Sequence, residues 1–341
     1  MRNRFLILLV LLPAILAGCT TVHEVPQGDP RVTVNLTINF DDALPLYTEK
    51  EYKTKAAQEN YVFRHTVKLY RSTGPGRWAD DPDRSLTFYS DEIRTQSFQI
   101  VLEPLLYHVM VFTDYVDASH KSLGFNPEEF TSITLTDGPY IGSTPSRDCF
   151  AGTLDLDLSR VMEMDATVSE SLTMTRPVGK YSIVATDKED FLKMFLTRLR
   201  ERLLAEGNPT KADETKVEDI DMDLFRIHVV YSGFLPDTYN LWRGRPVDAR
   251  SGVSFDSTLR ELESGDIELA FDFVLVNGDE GAVNVSIYIY DDRNEILGSV
   301  QTEIPLHTGM RTILKGKFLT SGAASGISIN PGYDGEFNIP L

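Results

Sequence analysis

Asp219, Asp221 and Asp223 form a D-x-D-x-D run, the carboxylate spacing with which a calcium-binding loop opens. Such a loop also needs glycine at its sixth position, for the sharp turn, and a bidentate glutamate at its twelfth. Those positions hold Leu224 and Val230, so the three acids read as solvated residues ahead of a strand. Asp80, Asp81 and Asp83 around Pro82, and Asp291 beside Asp292, are similar clusters. Each offers oxygens to a weakly held calcium ion, and turn chemistry alone explains each. The six histidines (His23, His65, His108, His120, His228 and His307) show no zinc-ligand spacing, and no H-E-x-x-H occurs. His228 alternates in phase with Arg226 and Val230, which predicts a surface or edge position on a strand. No G-x-S-x-G elbow or Walker loop is present. The glycines of "STGPGRW" lack a strand–helix setting and read as a turn. Cys149, between Asp148 and Phe150, is read as a small buried thiol rather than a nucleophile. Carboxylates are plentiful, yet nothing singles out a glycosidase-type pair. No catalytic residue, metal or cofactor is assigned, and the chain is read as non-enzymatic.

Three aromatics stand in or beside turns. Trp78 follows Gly-Pro-Gly, and Tyr239 and Trp242 lie in "DTYNLWRGRP". Rings of this kind stack on sugars, because an apolar face with a polar edge suits both water and ligand. They also pin long loops onto a sandwich. Pinning is the preferred reading, since nothing in the sequence makes the three converge.

The N-terminus carries the plainest chemistry. Arg2 and Arg4 precede an apolar stretch from Phe5 to Leu16, too short to span a bilayer and shaped like a secretory signal peptide. Leu16-Ala17-Gly18-Cys19 then resembles a bacterial lipobox, cut before a cysteine whose thiol and amine become acylated. Residues 1–18 are expected to be removed and Cys19 to carry lipid, each buried methylene holding with about 0.8 kcal/mol. Cys149 would then be the only free thiol, and no disulfide framework is expected. Residues 19–30, with Pro26, Gly28 and Pro30, read as a tether.

These groups must be positioned by 341 residues of ordinary globular balance, 25% charged and 42% hydrophobic. Acids outnumber bases 51 to 33, a net charge of −18, which becomes −20 once Arg2 and Arg4 leave. That field repels phosphate backbones, so nucleic acid is excluded as a partner. Val34, Leu36, Ile38 and Phe40 alternate with polar residues, the period of a half-buried strand. Similar runs recur at Val62–Arg71, "SFQIVL", "SITLT", "GTLDLDLS", "ESLTMT", "KYSIVAT", "LFRIHVVYSGF", "IELAFDFVLVN", "VNVSIYIYDD", "ILGSVQTEIPL" and "MRTILKGKFL". "YHVMVFTDYVD" is apolar on both faces and is expected at the centre of its sheet. "DDRNE" reads as a hairpin connection, and the Gly/Pro/Ser-rich "DGPYIGSTPSRD" as a loop. One segment has helical spacing, about 187–206, with Asp187 as N-cap and Gly207 and Pro209 as stops. The acidic "TKADETKVEDIDMD" after it reads as loop. The fold class is mainly all-β, two tandem antiparallel β-sandwiches at 31–160 and 161–341, with one amphipathic helix in the second.

"SLTMTRPVGKYSIVATD" followed by a helix, "IPLHTGMRTILKGKFLT" and "GISINPGYDGEFNIPL" resemble segments of the fimbrillin-like surface lipoproteins of Bacteroides-type bacteria. "MVFTDYVDAS" and "SRDCFAG" resemble their first-domain counterparts. The resemblance spans nearly the whole mature chain and is carried by structural rather than catalytic motifs. It implies transthyretin-like sandwiches, export to the outer membrane through lipid on Cys19, surface exposure, and a role as pilus stalk, tip, anchor or adhesion protein. It also implies that pilus subunits are partners through β-strand addition. In stalk subunits of that family an arginine-specific protease removes the lipidated segment with the first strand. Here the candidate positions are Arg31, before the strand Val32–Phe40, and Arg64 and Arg71, beyond it. A last strand, Glu336–Leu341, behind a Gly/Ser-rich segment, either swings out to a neighbour or completes its own domain, and the second is preferred. A glycan- or ligand-binding surface module is the alternative function.

Overall fold

The computed structural model describes residues 30–40, 61–321 and the backbone of 337–340. Signal peptide, Cys19, His23 and nearly all of the tether lie outside them. The strands are β1 Val32–Phe40, β2 Val62–Gly74, β3 Arg77–Trp78, β4 Arg84–Ser90, β5 Gln96–Leu102, β6 Leu106–Val116, β7 Phe125–Asn126, β8 Ile133–Leu135, β9 Cys149–Asp157 and β10 Thr167–Met174. After β11 Val178–Ala185 come two helices, α1 Lys188–Ala205 and α2 Pro209–Glu214. The chain continues with β12 Arg226–Tyr231, β13 Leu235–Asn240, β14 Arg245–Arg250, β15 Ser254–Thr258, β16 Arg260–Glu261 and β17 Ile267–Leu275. It closes with β18 Glu280–Tyr290, β19 Ile296–His307, β20 Met310–Gly316 and β21 Phe337–Pro340. The all-β class read from the sequence is the class observed.

Alternation decides the first sheet pair. Val32, Val34, Leu36 and Ile38 of β1 are buried, while Thr33, Asn35, Thr37 and Asn39 are half-exposed. β1 is the middle of a three-stranded sheet. It runs antiparallel to β5, from Val32↔Leu102 to Ile38↔Gln96, and parallel to β10, from Thr33↔Thr167 to Phe40↔Met174. The facing sheet is β3-β2-β6-β9, with β4 also on β2. β6 is central and buried on both faces, as its apolar run predicts. Tyr107, Val109 and Val111 face the β1 core, and Met110 and Phe112 point the other way. The sandwich closes tightly where β9 nears β10. A Cβ on Gly152 would stand 2.5 Å from Leu172 Cδ1 and 3.0 Å from the Thr173 carbonyl.

The second pair is β16-β17-β11-β20-β21 against β15-β12-β18-β19. Helix α1 buries Phe191, Leu192 and Phe195 in that core, with Phe191 and Phe195 edge-on to Phe225 at 4.9 and 4.8 Å. Asp187 stands at the N-cap position, but its carboxylate makes no capping bond. It accepts instead from the amides of Leu319 and Thr320 and from the Thr320 hydroxyl, tying the chain after β20 to the helix start. The acidic segment expected as loop holds α2 and two 3₁₀ turns, at Val217–Asp219 and Met222–Leu224. The DDRNE hairpin forms as expected, with Asp291 accepting from the amides of Arg293 and Glu295.

β10 lies after the boundary expected near residue 160. This strand pairs with β1 and buries Leu172 and Met174 in the first core, so the chain crosses between sheet pairs at residues 175–177. The halves also share a sheet. In β14-β13-β8-β7, β7 and β8 precede residue 160 and β13 and β14 follow it. Between them and both sandwiches lies a third core, containing Phe112, Phe125, Ile133, Tyr239, Phe271 and Phe273.

Candidate functional site

Two arrangements bear on function, and the first is the seat of β1. Arg31 is exposed immediately before it, at the start of a strand bonded on both sides. The other two arginines are placed differently. Arg64 lies inside β2, and its guanidinium grips the buried Asp114 through Nε at 2.9 Å and Nη2 at 2.6 Å. It also donates to Ser122 Oγ and the Phe125 carbonyl. A protease has to unravel β2 to reach it. Arg71 lies near the end of β2 and is exposed. Near the other end of the chain, β21 pairs among the described residues with β20 alone, from Met310↔Pro340 to Ile313↔Phe337.

The second arrangement is aromatic. Trp78 and Trp242, which nothing in the sequence brings together, meet on either side of His108. The His108 ring is 5.1 Å from Trp78 and 5.0 Å from Trp242, the latter stacked at 24°. Tyr70 meets Trp242 edge-on at 4.8 Å. His108 Nδ1 is held by Asp155 Oδ1 at 2.6 Å, which fixes the ring between the indoles. Burial first, then the carboxylates of Glu129 and Asp81, push the Tyr70 phenol up to about 12. Trp78, Arg71, Asp80, Asp81 and Asp83 border an open cleft of 480 Å³. Tyr239 takes no part in the stack. It is a buried residue of β13, packed in the third core.

The remaining chemical groups serve structure. Asp219 accepts from the Lys216 amide and Asp221 from the Asp223 amide, so the D-x-D-x-D run caps turns. Among the described residues no group of His, Cys, Asp or Glu is arranged to hold a metal ion. Cys149 is buried, and burial, then Asp148 and Asp114, raise its thiol well above the ordinary range, which suits an inert thiol. His228 lies on the outer face of β12, an inner strand, bonded to Asp256 at 2.7 Å. His65 is fully buried, between Thr113 Oγ1 and Ser90 Oγ. The sequence did not reveal one buried cluster: Asp272 accepts from the hydroxyls of Tyr140 at 2.6 Å and Tyr231 at 2.7 Å. Arg147 lies 4.3 Å over the Tyr140 ring, so a loop of the first half is fastened to strands of the second.

A family model matches residues 26–341. The chain belongs to that family, described as a family of unknown function (DUF6562). No curated protein matches the chain in sequence. Among solved structures, the chain is similar to the fimbrial anchor protein Mfa2 from Porphyromonas gingivalis, at 11% identity and TM-score 0.39, over 82% of this chain and 90% of that one. The tip fimbrial protein Mfa3 from the same organism, with a C-terminal truncation, matches at 10% identity and TM-score 0.39, over 92% of this chain and 100% of that one. A candidate adhesin from Bacteroides ovatus matches at 13% identity and TM-score 0.37, over 79% and 82%.

Proposed function

We propose that the chain is a cell-surface lipoprotein of the fimbrillin type, held at the outer membrane by lipid on Cys19. Its role is structural and non-enzymatic, in pilus anchoring, pilus assembly or adhesion. The observation that carries this reading is the seat of β1. The strand that follows the expected tether is bonded along both edges and buries four side chains, so the tether would join a strand held on both sides. A cut after Arg31 frees the protein from its lipid and leaves β1 in place. A cut after Arg71 removes β1 with most of β2 and opens a groove between β5 and β10 for a neighbour's strand. β21, bonded on one side among the described residues, is a second strand that could be exchanged with a neighbour.

Mass spectrometry of the native surface protein tests this. An acylated Cys19 at the N-terminus indicates an anchor or a solitary surface protein. A terminus after Arg71 indicates a polymerising subunit, and one after Arg31 a released one. An uncleaved N-terminus at Met1 refutes the lipoprotein reading. Purified protein that neither assembles nor binds cells or pilus subunits counts against the structural role. A second reading, a glycan-binding surface module, is favoured by the meeting of Trp78 and Trp242 at His108.

A further inference from the structure

We infer that the cleft beside Trp78 is a binding subsite for one neutral pyranose ring, presented on a glycan. The inference rests on the second reading above and leaves the first untouched. Three observations carry it. First, Trp78 is fixed before any ligand arrives. Its indole packs against His108, which is held by Asp155 on one side and stacked on Trp242 on the other. A preorganised aromatic surface loses little side-chain freedom on binding, and the carbon–hydrogen face of a pyranose matches it. Second, the hairpin that carries the cleft is held at its base, where Ala79 donates to the Arg71 carbonyl and Asp83 to the Leu69 carbonyl. The 480 Å³ space lies within the range of small-ligand sites, roughly 300–1,000 Å³.

Third, the polar groups at the rim select the ligand's charge. Asp83 already faces Arg84 at 3.7 Å. The side chains of Asp80, Asp81 and Arg71 make no hydrogen bond or ion pair among the described residues. Two exposed carboxylates offer acceptors and one exposed guanidinium offers donors to a ligand. An anionic sugar meets both carboxylates and the net charge of −18. A simple cation meets Arg71. A neutral polyol offers hydroxyls that donate to the acids and accept from the arginine.

The test uses the purified full chain in detergent and an array of neutral glycans ending in glucose, galactose, mannose or N-acetylglucosamine, with uronate-terminated counterparts. Ligands found there are titrated by tryptophan fluorescence. At least one neutral glycan is expected to bind, and uronate counterparts at least tenfold more weakly. Trp78→Ala is expected to cost at least tenfold in affinity, and Asp81→Asn about fivefold. Trp78→Phe, which keeps a flat ring, is expected to keep part of the binding, and a circular dichroism melt of each variant separates lost binding from lost folding. If no neutral glycan binds, the glycan-binding reading falls with the subsite. If a glycan binds and folded Trp78→Phe and Asp81→Asn variants match wild type, the subsite alone is overturned. Equal binding of uronates overturns the charge argument.

Discussion

Removing β1 is the perturbation on which the structural reading depends most directly. Val32, Val34, Leu36 and Ile38 are each essentially inaccessible to solvent. Burying an aliphatic side chain of that size contributes about 1.5–3 kcal/mol. The four together contribute about 6–12 kcal/mol, an upper estimate, because an unfolded chain already buries part of its apolar surface. A whole domain is stable by roughly 5–15 kcal/mol, so a chain that begins after Phe40 is expected to unfold. The truncation also leaves β5 and β10 with unpaired edges facing one another. A synthetic peptide of sequence VTVNLTINF, added in trans, should restore the structure, because its side chains and both ladders fit the vacated slot. Urea unfolding followed by tryptophan fluorescence and amide exchange is the assay, with Leu36→Ala as a milder control. That control is expected to cost about 2–5 kcal/mol, a midpoint shift of about 1 M urea or more. If the truncated chain unfolds at the wild-type midpoint and ignores the peptide, β1 is not the keystone of this sandwich and the groove argument fails.

Two further outcomes follow from particular residues. Burial lowers His65 from 6.5 to about 4, so the native state binds fewer protons than the unfolded state between those pH values. Its contribution is complete above pH 6.5, declines as pH falls, and is gone below about pH 4, a loss of about 3 kcal/mol at about 1.4 kcal/mol per pH unit. Stability curves for wild type and His65→Asn should diverge by that amount across the window, and parallel curves would refute the assignment. The shared third core predicts one calorimetric transition for the whole described structure. Phe271→Ala, expected to cost about 3–5 kcal/mol, should lower protection in strands of both halves, whereas two independent transitions would show that the halves fold separately.

What the sequence reveals and conceals has a physical pattern. β1, α1 and the Asp291–Glu295 turn were legible because each depends on residues near one another in the chain. β13 and β14 were not read as strands, because register shifts between Pro236 and Thr238 and between Thr238 and Tyr239 break the alternation. The pairing of β10 with β1 was not legible, because the partner lies far upstream and no local pattern records a parallel partner. The N-cap pattern at Asp187 was sound, yet two amides near residue 320 compete for the same carboxylate and win. The meeting of Trp78 with Trp242 depends on the sheet that joins β8 to β13, and neither indole's neighbours in sequence hint at it.

The two-sided strands explain why the halves do not behave as beads on a string. β6 and β17 are buried along nearly their whole length, which a strand with one face in water cannot be. Each gives one face to its own sandwich. The other faces, with Met110 and Phe112 from β6 and Phe271, Phe273 and Leu275 from β17, line a common interior. An apolar junction of this kind resists bending, because opening it exposes aromatic side chains that each gain a few kcal/mol from burial. Asp272 and Arg147 reinforce it from within, since parting the halves leaves buried charges without their partners. A protein tied to a membrane at one end and to a partner at the other transmits force only if nothing between them yields. In this chain β1 is locked into the first sandwich and the first sandwich shares its interior with the second, so among the described residues the path from β1 to the second sheet pair contains no hinge.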